Sequence, residues 1–271
     1  MNCAICTPVS ENKIPSADGK MPGHWLLAKM GKRVLRPGGL ELTRAMLAGL
    51  NIQPRDSVIE FAPGLGVTAR MTLRRRPATY TAIERDENAA VKVRSFLREP
   101  QQRCLVGTAE QTGLSDESGT VVYGEAMLTM QGPEQKHKIV AEAFRLLKPG
   151  GRYGIHELSL TPDELPDAVK HEISRALSHS IHVGARPLTA REWRELLESE
   201  GFKVQSQSVA PMRLLEPRRL IRDEGFWRAL RFIFNVLRTP EARRRVFNMR
   251  GIFRKYRDHL GAIMFVAVKP G

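Results

Sequence analysis

Between residues 57 and 158 short apolar runs alternate with helix-length segments, and that alternation leaves the chain few folds to choose from. Residues 57–61 (SVIEF), 79–83 (TYTAI), 104–106, 120–123 (TVVY) and 152–158 (RYGIHEL) read as strands. Residues 67–75, 87–97 and 134–147 carry helical spacing, and Lys-Pro-Gly-Gly at 148–151 stops the last of them. Strands joined through helices run parallel by right-handed crossovers, so an α/β, doubly wound sheet with helices on both faces is expected. Upstream, residues 24–35 (HWLLAKMGKRVL) and 41–50 predict two helices separated by Arg-Pro-Gly-Gly. Downstream, helices are expected over 163–180 and 190–199, strands over 202–209 and 262–268, and one amphipathic helix within 220–237 (LIRDEGFWRALRFIFNVL). Residues 1–20 are polar and unpatterned and read as a loose leader.

Composition narrows the class further. Of 271 residues 42% are apolar and 27% charged, which excludes disordered, collagen-like and disulfide-scaffold chains. No apolar run approaches the roughly 18 residues of a membrane span. The first residues lack a charged and then apolar secretory pattern, and Cys3, Cys6 and Cys104 are too few for a disulfide framework, so a cytoplasmic setting is expected. Cys3 and Cys6 have metal spacing but no second pair, and no metal site is expected. The formal net charge is +14, concentrated between Arg213 and Arg257, where fourteen bases face four acids. A polyanionic partner follows: nucleic acid, or an anionic membrane surface that the chain touches peripherally.

The sharpest local pattern is Val58-Ile59-Glu60-Phe61-Ala62-Pro63-Gly64-Leu65-Gly66. A strand ends there in a tight turn into a helix, and the missing Cβ atoms at Gly64 and Gly66 let backbone approach a ligand. Glu84 follows the next strand, 20 positions beyond Gly64, where a carboxylate can accept hydrogen bonds from both hydroxyls of a ribose.

These pieces resemble the class I S-adenosylmethionine-dependent methyltransferases. The resemblance runs from about residue 40 to 210 through EFAPGLG at 60–66, AIERD at 82–86, LVGTAEQTGL at 105–114, VVYGEAML at 121–128 and FRLLKPGGRYGIHEL at 144–158. It implies a mostly parallel seven-stranded, Rossmann-like sheet with an antiparallel last strand and helical cap insertions. Residues 55–210 plus 260–271 would form the S-adenosyl-L-methionine domain, 21–54 would close the site, and 161–187 with 211–259 would cover the acceptor. The resemblance further implies that Glu60 contacts the methionine amino group, often through water, and that Ala62, Gly64 and Gly66 line methionine and ribose. Glu84 would hold the ribose diol, Arg85 would flank the adenine, and Thr108, Ala109 and Glu110 would lie around it. Thr108 stands where many relatives carry an adenine-reading Asp. Glu125 would face the sulfonium and the acceptor. The rRNA adenine dimethylases are a second resemblance, through the same glycine turn with Thr68. Residues 124–127 (GEAM) lack their Asn-x-Pro-aromatic motif, which places an RNA acceptor second.

Methyl transfer is an in-line displacement, so the enzyme chiefly positions the nucleophile and excludes water. Where the acceptor loses a proton, His156, Glu157 and Glu125 are the catalytic candidates; for His156 the alternative is an inward histidine holding a backbone carbonyl. His171, His179 and His182 are expected to face solvent or line the pocket. His24 and Trp25 open the first helix; the resemblance implies that such helices close over the ligand and that the Arg36–Gly39 turn could abut it, while core packing is the default for Trp25. The apolar residues among the arginines of 213–257 fit an acceptor cap, a membrane-facing surface or, third, an RNA track. A small or lipid-like acceptor is the favoured reading, and a fold that binds nucleotide without transfer is the non-enzymatic alternative.

Overall fold

The computed structural model describes residues 21–271. The leader at 1–20, with Cys3 and Cys6, lies outside the described residues. Two helices, α1 (Gly23–Lys29) and α2 (Gly39–Leu50), precede the sheet. The chain then runs β1 (Ser57–Phe61), α3 (Val67–Leu73), β2 (Thr79–Glu84), α4 (Glu87–Arg94), β3 (Gln102–Val106), β4 (Gly119–Glu125), α5 (Pro133–Leu146) and β5 (Leu147–Leu160). It continues through α6 (Asp167–Ile181), β6 (Leu188–Thr189), α7 (Ala190–Ser199), β7 (Lys203–Pro211), α8 (Pro217–Glu224), α9 (Phe226–Arg238), α10 (Pro240–Lys255) and β8 (Leu260–Val268).

The strand order is β3-β2-β1-β4-β5-β8-β7, with the two-residue β6 pairing β5 beside that path. Every pairing is parallel except those of β8, which runs antiparallel to β5 and to β7. This is the expected doubly wound sheet with its antiparallel last strand. Alternation along the strands sorts side chains to two faces. Val58, Tyr80, Tyr123 and Met264 pack under α2, α3 and α4, whereas Ile59, Phe61, Ile155 and Phe265 pack under α5 and α7. A third core belongs to the cap, where α1, α6, α8, α9 and α10 bury Leu26, Ile173, Leu220, Phe232 and Met249 against Leu158 and Leu260.

Three expectations change. Lys-Pro-Gly-Gly does stop α5, but it is also sheet: Gly150 donates to the Lys269 carbonyl and Lys269 to that of Gly151, so β5 begins at Leu147. The helix expected over 24–35 ends at Lys29, because the chain turns at Gly31 with φ of 108°. The single amphipathic helix of 220–237 is two helices, broken where Gly225 takes φ of 82°, and α10 follows them. A left-handed glycine opens the helical ladder whatever its neighbours prefer.

Candidate active site

A cavity of about 660 Å³ opens beyond the carboxyl ends of β1, β2 and β4, the crevice where open parallel sheets bind ligands. Its sheet-side wall comes from the turns after four strands, β1, β2, β3 and β4. Ala62 follows β1 with φ of 50° and Ala126 follows β4 with φ of 53°. Left-handed backbone at a non-glycine residue is unfavourable, and the surroundings hold both: Ala62 N–H donates to the Ile83 carbonyl at 2.8 Å and Ala126 N–H to that of His156 at 2.7 Å. Gly64 also has positive φ and lines the cavity, and a Cβ there would meet nothing closer than the Ala62 carbonyl at 4.0 Å. Conformation, not space, therefore asks for glycine at that position. Gly66 differs. It does not line the cavity; a Cβ would lie 2.5 Å from the Phe96 ring, so this glycine serves packing of α3 on α4.

Glu84 faces the cavity at the end of β2, where Oε2 accepts from Gly64 N–H at 2.9 Å and Oε1 from Asp86 N–H at 3.0 Å. The glycine turn and the acid are thus one unit across 20 residues. Arg85, Thr108, Ala109 and Glu110 line the same wall.

Glu125, at the end of β4, touches the cavity but is committed elsewhere. Oε1 accepts from Thr43 Oγ1 at 2.6 Å and faces His156 Nδ1 at 2.8 Å. Oε2 accepts from Thr68 Oγ1 and lies 3.2 Å from Arg36 Nη1. Burial pushes this carboxyl up, but the Arg36 charge and the His156 and Thr43 contacts outweigh it and bring its pKa to about 2. Glu125 therefore fastens α2, α3, β5 and the segment after α1 to one point beneath the cavity.

Two predicted roles do not match this geometry. His156 is fully buried, with Nδ1 on Glu125 and Nε2 at 2.6 Å from the Pro37 carbonyl. Both neighbours are acceptors, so the ring satisfies them only with a proton on each nitrogen, and it has no lone pair for a substrate. This is the inward histidine holding a carbonyl, not the base. Glu157, equally buried, accepts from the backbone N–H groups of Met127, Leu128 and Thr129 and from Thr129 Oγ1. It caps a single 3-10 turn, Leu128–Met130, and does not line the cavity. Glu60 points beneath α2 and α3, where Tyr80 and Tyr123 donate to its Oε2 at 2.5 and 2.6 Å. Burial raises its pKa to about 7 against those two hydrogen bonds. It lies outside the cavity lining, so of the expected contacts to a methionine amino group only one through water fits its place.

The opposite wall is apolar and comes from distant parts of the chain. Leu158, Leu177, Ile181, Met212, Met249 and Phe253 face the cavity there, closed from above by Gly23, Trp25, Leu27 and Leu35. His24 lines the cavity against Trp25, and burial followed by the Arg85 charge lowers its pKa, favouring the neutral ring. His171, His179 and His182 are exposed and outside the lining. No cluster of metal-binding side chains occurs among the described residues.

Residues 59–155 match the family described as Methyltransferase domain. A Haemophilus influenzae protein described as uncharacterized is 30% identical over 250 residues, covering 91% of this chain and 96% of its own length. The Methyltransferase phqN of Penicillium fellutanum is 28% identical over 161 residues, covering 57% of this chain and 48% of its own. Among solved structures, the Haemonchus contortus phosphoethanolamine N-methyltransferase 2 in complex with S-adenosyl-L-methionine superposes with a TM-score of 0.70. That match is 16% identical and covers 92% of this chain and 57% of the other. With its sheet order, its glycine turn tied to Glu84 and these matches, the chain belongs to the class I S-adenosylmethionine-dependent methyltransferases. Its cofactor is S-adenosyl-L-methionine. The donor set fits: a carboxylate presented by two backbone amides, beside a turn without a Cβ and an apolar shelf at Ile83, Ala109 and Met127.

Proposed function

We propose that the chain methylates a small, largely apolar acceptor lodged between the cofactor and the cap. The observation that carries this reading is the wall of Leu158, Leu177, Ile181, Met212, Met249 and Phe253, six uncharged side chains offering dispersion and desolvation, while Arg33 and Arg36 in the closing segment are paired with Glu224 and Glu125. An RNA base with its phosphates would need polar and basic groups at that wall instead.

In this reading Glu84 accepts from the ribose hydroxyls, the backbone from Ala62 to Leu65 lines the methionine, and Arg85, Thr108, Ala109 and Glu110 surround the adenine. The bound sulfonium supplies an electrophilic methyl carbon. The protein's share is position and dryness: the acceptor atom is held in line by the apolar wall while Trp25, Leu27 and Leu35 exclude water. Glu125, Arg36 and His156 act as positioning residues that keep the closing segment seated. For an acceptor that gives up a proton, His24 is the cavity-lining imidazole able to receive it, since burial keeps its ring neutral.

A labelled-methyl transfer screen across lipid, phenol, amine, thiol and RNA pools tests the proposal. Label is expected in an organic-extractable small molecule. Label in RNA alone overturns the acceptor class and leaves the enzyme class standing.

A further inference from the structure

Helix α9 carries two different apolar stripes. Ala229, Phe232 and Val236 are buried in the cap core. Phe226, Trp227, Leu230, Ile233, Phe234 and Leu237 are exposed, Trp227 by 78% and Phe226 and Phe234 by 58% each. At 100° per residue these six fall within about a third of the helix circumference, well away from the buried stripe. Arg231 and Arg238 border that exposed face, and both are exposed. Neighbouring helices extend it: Ile221 of α8 and Phe247 of α10 are also exposed, the latter beside Arg243 and Arg244. Large exposed apolar surface of this kind has a partner.

We propose that α9, with the adjoining edge of α10, docks the enzyme on an anionic lipid bilayer, the apolar stripe entering the headgroup–acyl boundary and the arginines meeting lipid phosphates. Charge decides between occupants. Arg231 and Arg238 beside this face, with Arg243 and Arg244 beside Phe247, are exposed and have one acid near them, Glu241, so two copies pressed together through it would oppose like charge to like charge. An RNA would satisfy the arginines and leave Leu230, Ile233 and Leu237 in water, because aliphatic side chains offer bases no stacking plane. A bilayer with acidic headgroups answers both features at once. No helix among the described residues is long and apolar enough to cross a membrane, which leaves contact in the plane of the surface.

The test is co-sedimentation of the full chain with vesicles of phosphatidylcholine alone and with about one third phosphatidylglycerol. Binding to the anionic vesicles, weakened by salt, is expected. Arg231→Glu with Arg238→Glu weakens it roughly 20-fold or more, at about fivefold for each lost positive charge. Trp227→Glu with Phe234→Glu abolishes it. These side chains are exposed, so calorimetric affinity for S-adenosylhomocysteine and the melting temperature should match the parent in both variants. Equal sedimentation with both vesicle types, or none, overturns the proposal. So does a dimer in analytical ultracentrifugation that Trp227→Glu disperses, or retention by RNA in place of vesicles.

Discussion

The two walls of the cavity are built by opposite means. The sheet-side wall is mostly backbone and polar groups, set by turns at the ends of β1, β2, β3 and β4 and contributed by residues 62–65, 83–86, 107–110 and 125–127. The cap-side wall is almost wholly side chain, contributed by residues as far apart as Leu27 and Phe253. A wall of backbone is indifferent to most substitutions and fixes one ligand. A wall of apolar side chains changes shape with each substitution. The contrast fits a common cofactor paired with a particular acceptor.

The largest expected effect tests whether Glu125 couples the two walls. Glu125→Ala would leave the buried Arg36 guanidinium without its carboxylate and His156 Nδ1 without its acceptor, at a cost of about 3–5 kcal/mol in urea unfolding. A loss under about 1 kcal/mol would mean the walls are held together by other contacts. Next comes Glu60, which separates the fold beneath the sheet from the site. Its pKa is raised from 4.5 to about 7 by burial, so its folded form prefers to keep the proton. The sign follows: the stability is complete below pH 4.5 and is lost as pH rises through 7, up to on the order of 3 kcal/mol. Glu60→Gln should flatten that decline in melting curves taken across this range, and an unchanged slope would assign the decline elsewhere.

The smallest effects sharpen the division of labour. Glu84→Ala should weaken S-adenosylhomocysteine binding by roughly 1–3 kcal/mol in calorimetry and leave acceptor KM nearly unmoved. Ile181→Ala should do the reverse, lowering kcat/KM for the acceptor about fivefold with cofactor affinity intact. Loss of cofactor affinity in Ile181→Ala would merge the two walls into one site.

The sheet-side wall was legible because its residues are close in sequence and their types follow from turn chemistry. Glu84 could be found from the glycine turn by spacing alone. The failures lie where facing and depth decide. His156 was placed at a strand end, but β5 continues to Leu160 and carries both His156 and Glu157 into the core. Adjacent strand positions point to opposite faces, which sends one under α2 and the other toward the turn after β4. Glu60 stands back from the cavity for the same reason: its side of β1 lies under helices. Gly66 was read as ligand-facing, whereas its bareness accommodates Phe96. Thr43 and Arg36 gave no local signal, lying 82 and 89 positions from the acid they serve. A clue did exist, since an acid ending a buried strand must find donors. The cap-side wall had no motif to read, because apolar residues in helices look alike until tertiary structure says which ones face a void.

The cap's largest part, residues 212–259, leaves the sheet at Pro211 and returns at Leu260, and Pro211 pairs with Gly261 across the β7–β8 ladder. Its entrance and exit are therefore a hairpin's width apart. A tight reverse turn could in principle span that gap with every sheet hydrogen bond kept, so this stretch can be lengthened, shortened or exchanged during evolution as a cassette. The cofactor-side wall stays with the strands, while Met212, Met249 and Phe253 of the proposed acceptor wall and the whole proposed lipid-docking face lie in the insert.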